Sequence, residues 1–181
     1  MKLLTIFAAM YAGTVFASVA NATTLAHLEL PELTKAAELI VYGRCADRES
    51  RWENGAVWTF VDFQVIESFK GAAAPAEKIR VRTAGGQVGH LQTRIEGVPQ
   101  FFAGEEVVLF LERTSAGDVG VTGWSQGTFR VLHGQRGGLT VTQESSEFAT
   151  FNRSTRTFSH PGIRNMDMAA FREKVRALAG K

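Results

Sequence analysis

The side chains of this chain best suited to proton transfer, nucleophilic attack or metal binding are four histidines, His27, His90, His133 and His160, and one cysteine, Cys45. No two of the histidines stand close enough for a short chelate of the His-x-x-x-His kind, so a metal would need distant loops to converge and none is expected. Gly123-Trp124-Ser125-Gln126-Gly127 matches Gly-x-Ser-x-Gly literally. That motif works on a strand-to-helix elbow. Here no apolar helix follows, and the segment reads as a turn between strands. Gly85-Gly86 with Gly89 has the glycines of a phosphate cradle, but neither a following helix nor Gly-Lys-Ser/Thr. No cofactor is expected. Enzymatic function survives as an alternative, hydrolase-like and built from dispersed loop residues. It takes His90 or His133 as base and requires the two to face one pocket with a carboxylate.

The stronger candidates are binding residues. Residues 84–104 form the longest stretch without clear periodicity, and such loops are functional or disordered. Val88, Leu91, Ile95, Val98, Phe101 and Phe102 give the stretch enough apolar content to be ordered. Residues 87–102 are therefore expected to form one side of a contact surface, with Gln87, His90 and Arg94 as polar contacts. Phe101 or Phe102 is its apolar anchor, because aromatic and arginine side chains dominate interface energetics. The bland alternative is that the phenylalanines are core. Trp52, in a polar turn between Arg51 and Glu53, is the next candidate.

These residues must be held by a β scaffold. Residues 30–39 read as a short helix, with Pro31 in the first turn and Glu32 at its positive end. Strands are predicted at 39–47, 57–67, 78–83, 107–111, 119–124, 128–132 and 139–142. Asn54-Gly55 turns the first into the second. The first half of the second strand is apolar on both faces and should be covered on both. Val107-Val108-Leu109-Phe110-Leu111 has the continuous apolar run of a central, doubly covered strand. Short strands, glycine turns and glycines inside strands (Gly43, Gly120, Gly123) predict a small antiparallel barrel of the oligonucleotide/oligosaccharide-binding type, with a β-sandwich as the alternative. Residues 143–159 read as an extended arm pinned by Phe148, Phe151 and Phe158. A helix over 167–178 carries the stripe Met168, Phe171, Val175 and Leu178, which should pack on the barrel.

Residues 1–22 read as a secretory signal peptide: Lys2, then an apolar run, then the small-x-small site Ala20-Asn21-Ala22. Cleavage there leaves residues 23–142 as the β domain and 143–181 as the arm and helix, with no membrane span. One cysteine allows no internal disulfide, which fits a bacterial periplasmic or extracellular protein. Cys45 shares strand parity with Leu39 and Val41 and is expected to be buried and inert. Without its first 22 residues the chain holds 19 Lys+Arg against 18 Asp+Glu, interspersed rather than clustered, which argues against a nucleic-acid partner.

Several motifs occur in order along residues 28–132. Ala37-Glu38-Leu39-Ile40-Val41-Tyr42-Gly43-Arg44 comes first, then Phe69-Lys70-Gly71, then Gly85-Gly86-Gln87-Val88-Gly89. Pro99-Gln100-Phe101-Phe102-Ala103-Gly104-Glu105-Glu106, running into the 107–111 strand, and Gly127-Thr128-Phe129-Arg130-Val131 complete the set. Together they resemble a family of exported bacterial proteins with no established function, which supplies no catalytic residues to carry over. More loosely, the strand at 40–44, Val65-Ile66-Glu67-Ser68-Phe69-Lys70-Gly71 and the strand after Gly104 are similar to netrin-like domains, which include tissue inhibitors of metalloproteinases. That resemblance implies a barrel and a protein partner. This chain lacks their zinc-chelating amino-terminal cysteine and their disulfides. The sequence thus points to an exported, non-enzymatic binding module, with a secreted protease as the candidate partner. A structural envelope component is a further alternative.

Overall fold

A computed structural model describes residues 27–135, 137–147, 150–152, 155–159 and 162–180. The expected signal peptide, His160 and Phe148 lie outside the described residues, as do the side chains of Phe151 and Phe158, on which the pinned-arm expectation rests.

Helix α1 (Leu30–Ala36) has Pro31 in its first turn, and the Glu29 N–H donates to the Glu32 carboxylate at 2.8 Å. A helix end leaves free carbonyls that need donors. Lys70 supplies them here, its Nζ donating to Thr34 O at 2.7 Å and Ala37 O at 2.6 Å. Strands β1 (Leu39–Glu53), β2 (Ala56–Lys70) and β3 (Lys78–Ala84) follow as an antiparallel meander. The first turn is Asn54-Gly55, with φ of 50° and 80°, the conformation its sequence signals. Next comes a separate hairpin, β4 (Gly86–Val88) and β5 (Leu91–Thr93), in the segment expected to be irregular.

The chain continues through β6 (Glu106–Arg113), β7 (Val119–Val121), a 3₁₀ turn at Trp124–Gly127, β8 (Thr128–His133) and β9 (Leu139–Gln143). A second 3₁₀ turn, Glu144–Glu147, precedes the small hairpin of β10 (Thr150–Asn152) and β11 (Thr157–Ser159). Strand β12 (Met166–Asp167) then pairs with β9, so this segment joins the main sheet. Helix α2 (Met168–Ala179) closes the described chain, its start capped by Asp167, whose carboxylate accepts from the Ala169 and Ala170 N–H groups.

Eight strands form one antiparallel sheet in the order β12-β9-β8-β6-β1-β2-β3, with β7 also on β6. The fold is mostly β with one short N-terminal helix and one C-terminal helix, as the sequence predicts. The closed barrel is not formed, and neither is a sandwich of two comparable sheets. The sheet curls until β3 lies beside β7, but no ladder joins them. Closure fails because β7 is only three residues long before the chain breaks into the turn at Gly123-Trp124, both at positive φ. Side chains bridge the gap instead, with Arg82 donating to the Asp118 carboxylate.

The sheet buries both faces. On one, Leu33, Ile40, Val108, Phe110 and Phe129 pack against Phe171 and Val175 of α2, with Phe129 4.8 Å from Phe171 and 5.3 Å from Phe110 between ring centroids. On the other, inside the curl, lie Val41, Cys45, Val61, Phe63, Val81 and Leu109. Strand β6 feeds alternate residues to the two, as a central strand must. Cys45 is buried and burial pushes its thiol pKa up, which disfavours the reactive thiolate.

The double cover expected on the first half of β2 takes another form. Val57 and Val61 are buried, whereas Trp58 and Phe60 are only half-buried beneath arginines. The Arg82 guanidinium lies 3.9 Å from the Trp58 ring centroid, and that of Arg51 5.3 Å from Phe60.

Gly86 fixes how closely β4 sits on the sheet. Its φ is 132°, and a Cβ there would stand 2.2 Å from Thr59 Oγ1 and 2.5 Å from Ser50 Oγ. Gly86→Ala should cost about 1–3 kcal/mol in urea unfolding and raise amide exchange across β4 and β5, because strain and contact both oppose it. A neutral substitution would show that the hairpin is not seated on β1 and β2.

Candidate functional site

The floor of the site comes from the outer halves of β1 and β2. Cross-strand pairs Arg48–Val61, Ser50–Thr59 and Trp52–Val57 place one row of side chains on the face that buries Phe63 further down the strand. Ser50 Oγ and Thr59 Oγ1 are 2.9 Å apart, and Thr59 Oγ1 donates to Gly85 O at 2.6 Å. This tethers the start of the β4–β5 excursion to the sheet. The chain returns through residues 95–102 as a second wall. Between the walls runs a cleft of about 600 Å³, lined among others by Arg48, Thr83, Gln87, Gln92, Gln100 and Phe102. Such a volume suits a small ligand or one segment of a longer one.

A second cleft of about 690 Å³ lies beyond the 95–102 wall and shares Ile95, Val98, Gln100 and Phe102 with the first. Its character differs. Arg94, Glu96, Arg130 and Glu144 line it, and Arg130 donates to Glu105 at 2.7 Å and to Glu144 at 2.8 Å. The 95–102 segment is therefore a ridge with a largely neutral cleft on one side and a charged one on the other.

The residues singled out from the sequence distribute unevenly on this surface. Gln87, Phe101 and Phe102 line the first cleft, and Arg94 and Phe102 the second. His90 is exposed at the turn between β4 and β5 and lines neither. Trp52 is 56% exposed, one step along the row from Ser50 at the open end of the β1–β2 hairpin. The adjacent phenylalanines separate. Phe101 is 2% exposed and stands edge-on to Phe63 at 5.0 Å between centroids, a core residue whose edge forms cleft floor. Phe102 is 49% exposed, with the Arg48 guanidinium 4.8 Å from its ring centroid. Sequence reasoning missed Arg48, Ser50, Thr59, Gln92 and Gln100. Arg48 and Ser50 belong to the half of β1 whose facing depends on a bulge, whereas Thr59 keeps the parity of Val61 and Phe63 and had only its polarity to mark it. The two glutamines had only their polarity to mark them.

A separate polar cluster lies on the helix-covered face, which Tyr42 shares with Val108 and Phe110. Glu106 is nearly buried, and Tyr42 Oη and the Arg44 guanidinium both donate to its carboxylate. His133 Nε2 stands 2.8 Å from the same carboxylate. Burial alone would raise the Glu106 pKa, but the hydrogen bonds from Tyr42, Arg44 and His133 outweigh it and hold the carboxyl at about 2. Burial, with that carboxylate beside it, pushes the Tyr42 phenol up. His133 thus has a carboxylate partner, but His90 lies on the opposite face of the sheet, so the convergence required by the enzymatic alternative does not occur. Ser125 is buried in its 3₁₀ turn rather than raised on an elbow. Among the described residues no three His, Cys, Asp or Glu side chains converge as a metal site, and no helix is long and apolar enough to cross a membrane. Comparison with protein-family models and with curated proteins finds no match for this chain.

Two outcomes follow from the geometry. Phe101→Ala should cost about 3–5 kcal/mol in urea unfolding, whereas Phe102→Ala should stay within about 1 kcal/mol. Equal losses would mean that both rings are core.

For Glu106 the folded pKa is lowered from 4.5 to about 2, so its stabilisation is complete above about pH 4.5 and is lost as pH falls through 2. Glu106→Gln should lower stability at pH 7 by about 2–3 kcal/mol and flatten the acid limb of a stability–pH curve. An unchanged acid limb would show that the cluster is not what titrates.

Proposed function

We propose that this chain is an exported, non-enzymatic binding module whose ligand lies in the cleft between the β4–β5 hairpin and residues 95–102. The cleft itself carries the reading. It is an open groove of about 600 Å³ with a floor of paired strands, one wall tied down through Thr59 and Gly85, and an exposed aromatic on the other wall. Binding sites favour such a plan, in which loops are positioned by a rigid scaffold. Export is supported by the signal-peptide features of residues 1–22 and by the single cysteine.

A second reading, in which the partner is another exported protein such as a secreted protease, is supported by Arg94 and Phe102, both exposed on the ridge. These residue types anchor protein interfaces.

The test is capture. Protein beginning at Thr23, immobilised, is exposed to the periplasmic and extracellular fractions of its own source. Retained proteins and saccharides are identified in parallel with a Phe102→Ala variant. Retention that drops at least tenfold in the variant is expected. Retention of nothing, or of material indifferent to Phe102, overturns the placement of the site.

A further inference from the structure

The two clefts flanking the ridge differ in charge, and the difference selects a ligand class for the first. Among the residues lining the first cleft, the one that opens onto β1 and β2, Arg48 is the only ionisable one. Its guanidinium is already engaged, with Nη1 donating to Phe101 O at 3.2 Å and the group lying over the Phe102 ring. No carboxylate lines this cleft, so it offers a cationic ligand no counter-charge and an anionic ligand no free pair of cations. What it does offer is neutral and bifunctional. Gln92 and Gln100 are exposed on its walls, and their carboxamides make no hydrogen bond to the described residues. Each can donate twice and accept on its oxygen. The Ser50 and Thr59 hydroxyls on its floor are already committed, Ser50 to Thr59 and Thr59 to Gly85 O, beneath Gly86. Phe102 stands at the rim, covered on one side by Arg48 and otherwise half-exposed.

We infer that the first cleft binds a neutral oligosaccharide. A sugar carries closely spaced hydroxyls, each both donor and acceptor, which is the complement of two open carboxamides, themselves donor and acceptor. The C–H face of its ring is flat and apolar, which suits the open side of Phe102. The groove is open to solvent and within the volume range of small-ligand sites, so it admits a few sugar units of a longer chain. Gln92 and Gln100 provide the directional hydrogen bonds, Phe102 the stacking surface, and the ligand's lack of charge follows from the lining. This inference rests on the binding-module reading and names the ligand of the same cleft.

The experiment titrates the purified protein with neutral trisaccharides of glucose (α- and β-linked), mannose and N-acetylglucosamine, and with a uronic acid trimer of the same length. Binding is followed by calorimetry and by amide chemical shifts. At least one neutral trimer should bind, with shifts centred on β4, β5 and residues 95–102, and the uronic acid trimer should bind at least tenfold more weakly. Gln92→Ala, Gln100→Ala and Phe102→Ala should each weaken binding about tenfold, the loss of one good contact. Glu96→Gln, in the charged cleft, should leave it unchanged. Saccharide binding indifferent to Gln92 and Phe102, or preferring the uronic acid, overturns the inference. If no saccharide binds while an exported protein is captured through Phe102, the ligand class is wrong and the binding module stands. If neither is retained, both readings fall.

Discussion

Ala46 has no partner across the β1–β2 ladder, since Cys45 faces Phe63 and Asp47 faces Asp62. That one extra residue reverses the parity of β1. Cys45 points into the curl, and three residues later Arg48 does so too, opposite Val61. Without the bulge, the row formed by Arg48, Ser50 and Trp52 would turn to the other face. Glu49 and Arg51 would then occupy the cleft floor, and a neutral groove would become a charged one. The bulge also coincides with the end of the β1–β6 pairing. Cys45 N–H donates to Glu105 O and Gly104 N–H to Cys45 O, both at 2.8 Å, and beyond them β1 pairs with β2 alone. The excursion of residues 85–104 returns to the sheet at this point. Phe101 fills the space that opens there and seals the core beside Phe63.

The same departure from pairing explains why the sheet curls without closing. Where β1 and β2 extend past β6, their far face has no helix over it, and α1 and α2 cover only the other end. Trp58 and Phe60 would be left bare there. Arginines cover them, and these arginines are themselves held by acids: Arg82 by Asp118 on the turn before β7, and Arg51 by Glu49. The Arg82–Asp118 contact ties β3 to the β7 side of the sheet through side chains. The site is therefore built where the sheet is least enclosed, on a floor whose reverse side is made rigid by cation–π and ionic contacts.

At the other end of β1 the polarity is handled differently. Glu106 begins β6 next to the fully apolar run at 107–111, and it would be costly to bury were it not satisfied three times. Tyr42, Arg44 and His133 come from two other strands, so the cluster pins β1, β6 and β8 together. Two of its members, Arg44 and His133, remain exposed. It is a staple at the margin of the helix-covered core, and its depressed acidity reflects those hydrogen bonds.

The sequence by itself determined where most of the main strands and the two helices lie and which apolar stripes they carry. Alternation at Ile79 and Val81, the continuous run at 107–111, Asn54-Gly55 and the stripe of α2 are local patterns. Local sterics and hydrophobic periodicity settle them before any tertiary contact exists. That residues 87–102 form an ordered, surface-lying excursion was legible, because a long glycine-rich segment with apolar content packs rather than stays loose. Tertiary structure alone decided the rest. Whether Phe101 or Phe102 is core depends on where β6 leaves β1, a contact between segments some 60 residues apart that composition does not encode. Whether Arg48 and Ser50 face a cleft or solvent depends on one unpaired alanine, and strand periodicity read along the sequence cannot locate a parity change. Whether a curled sheet becomes a barrel depends on a ladder between its ends. Here the strand meant to provide it stops after three residues, at a glycine whose left-handed backbone turns the chain away.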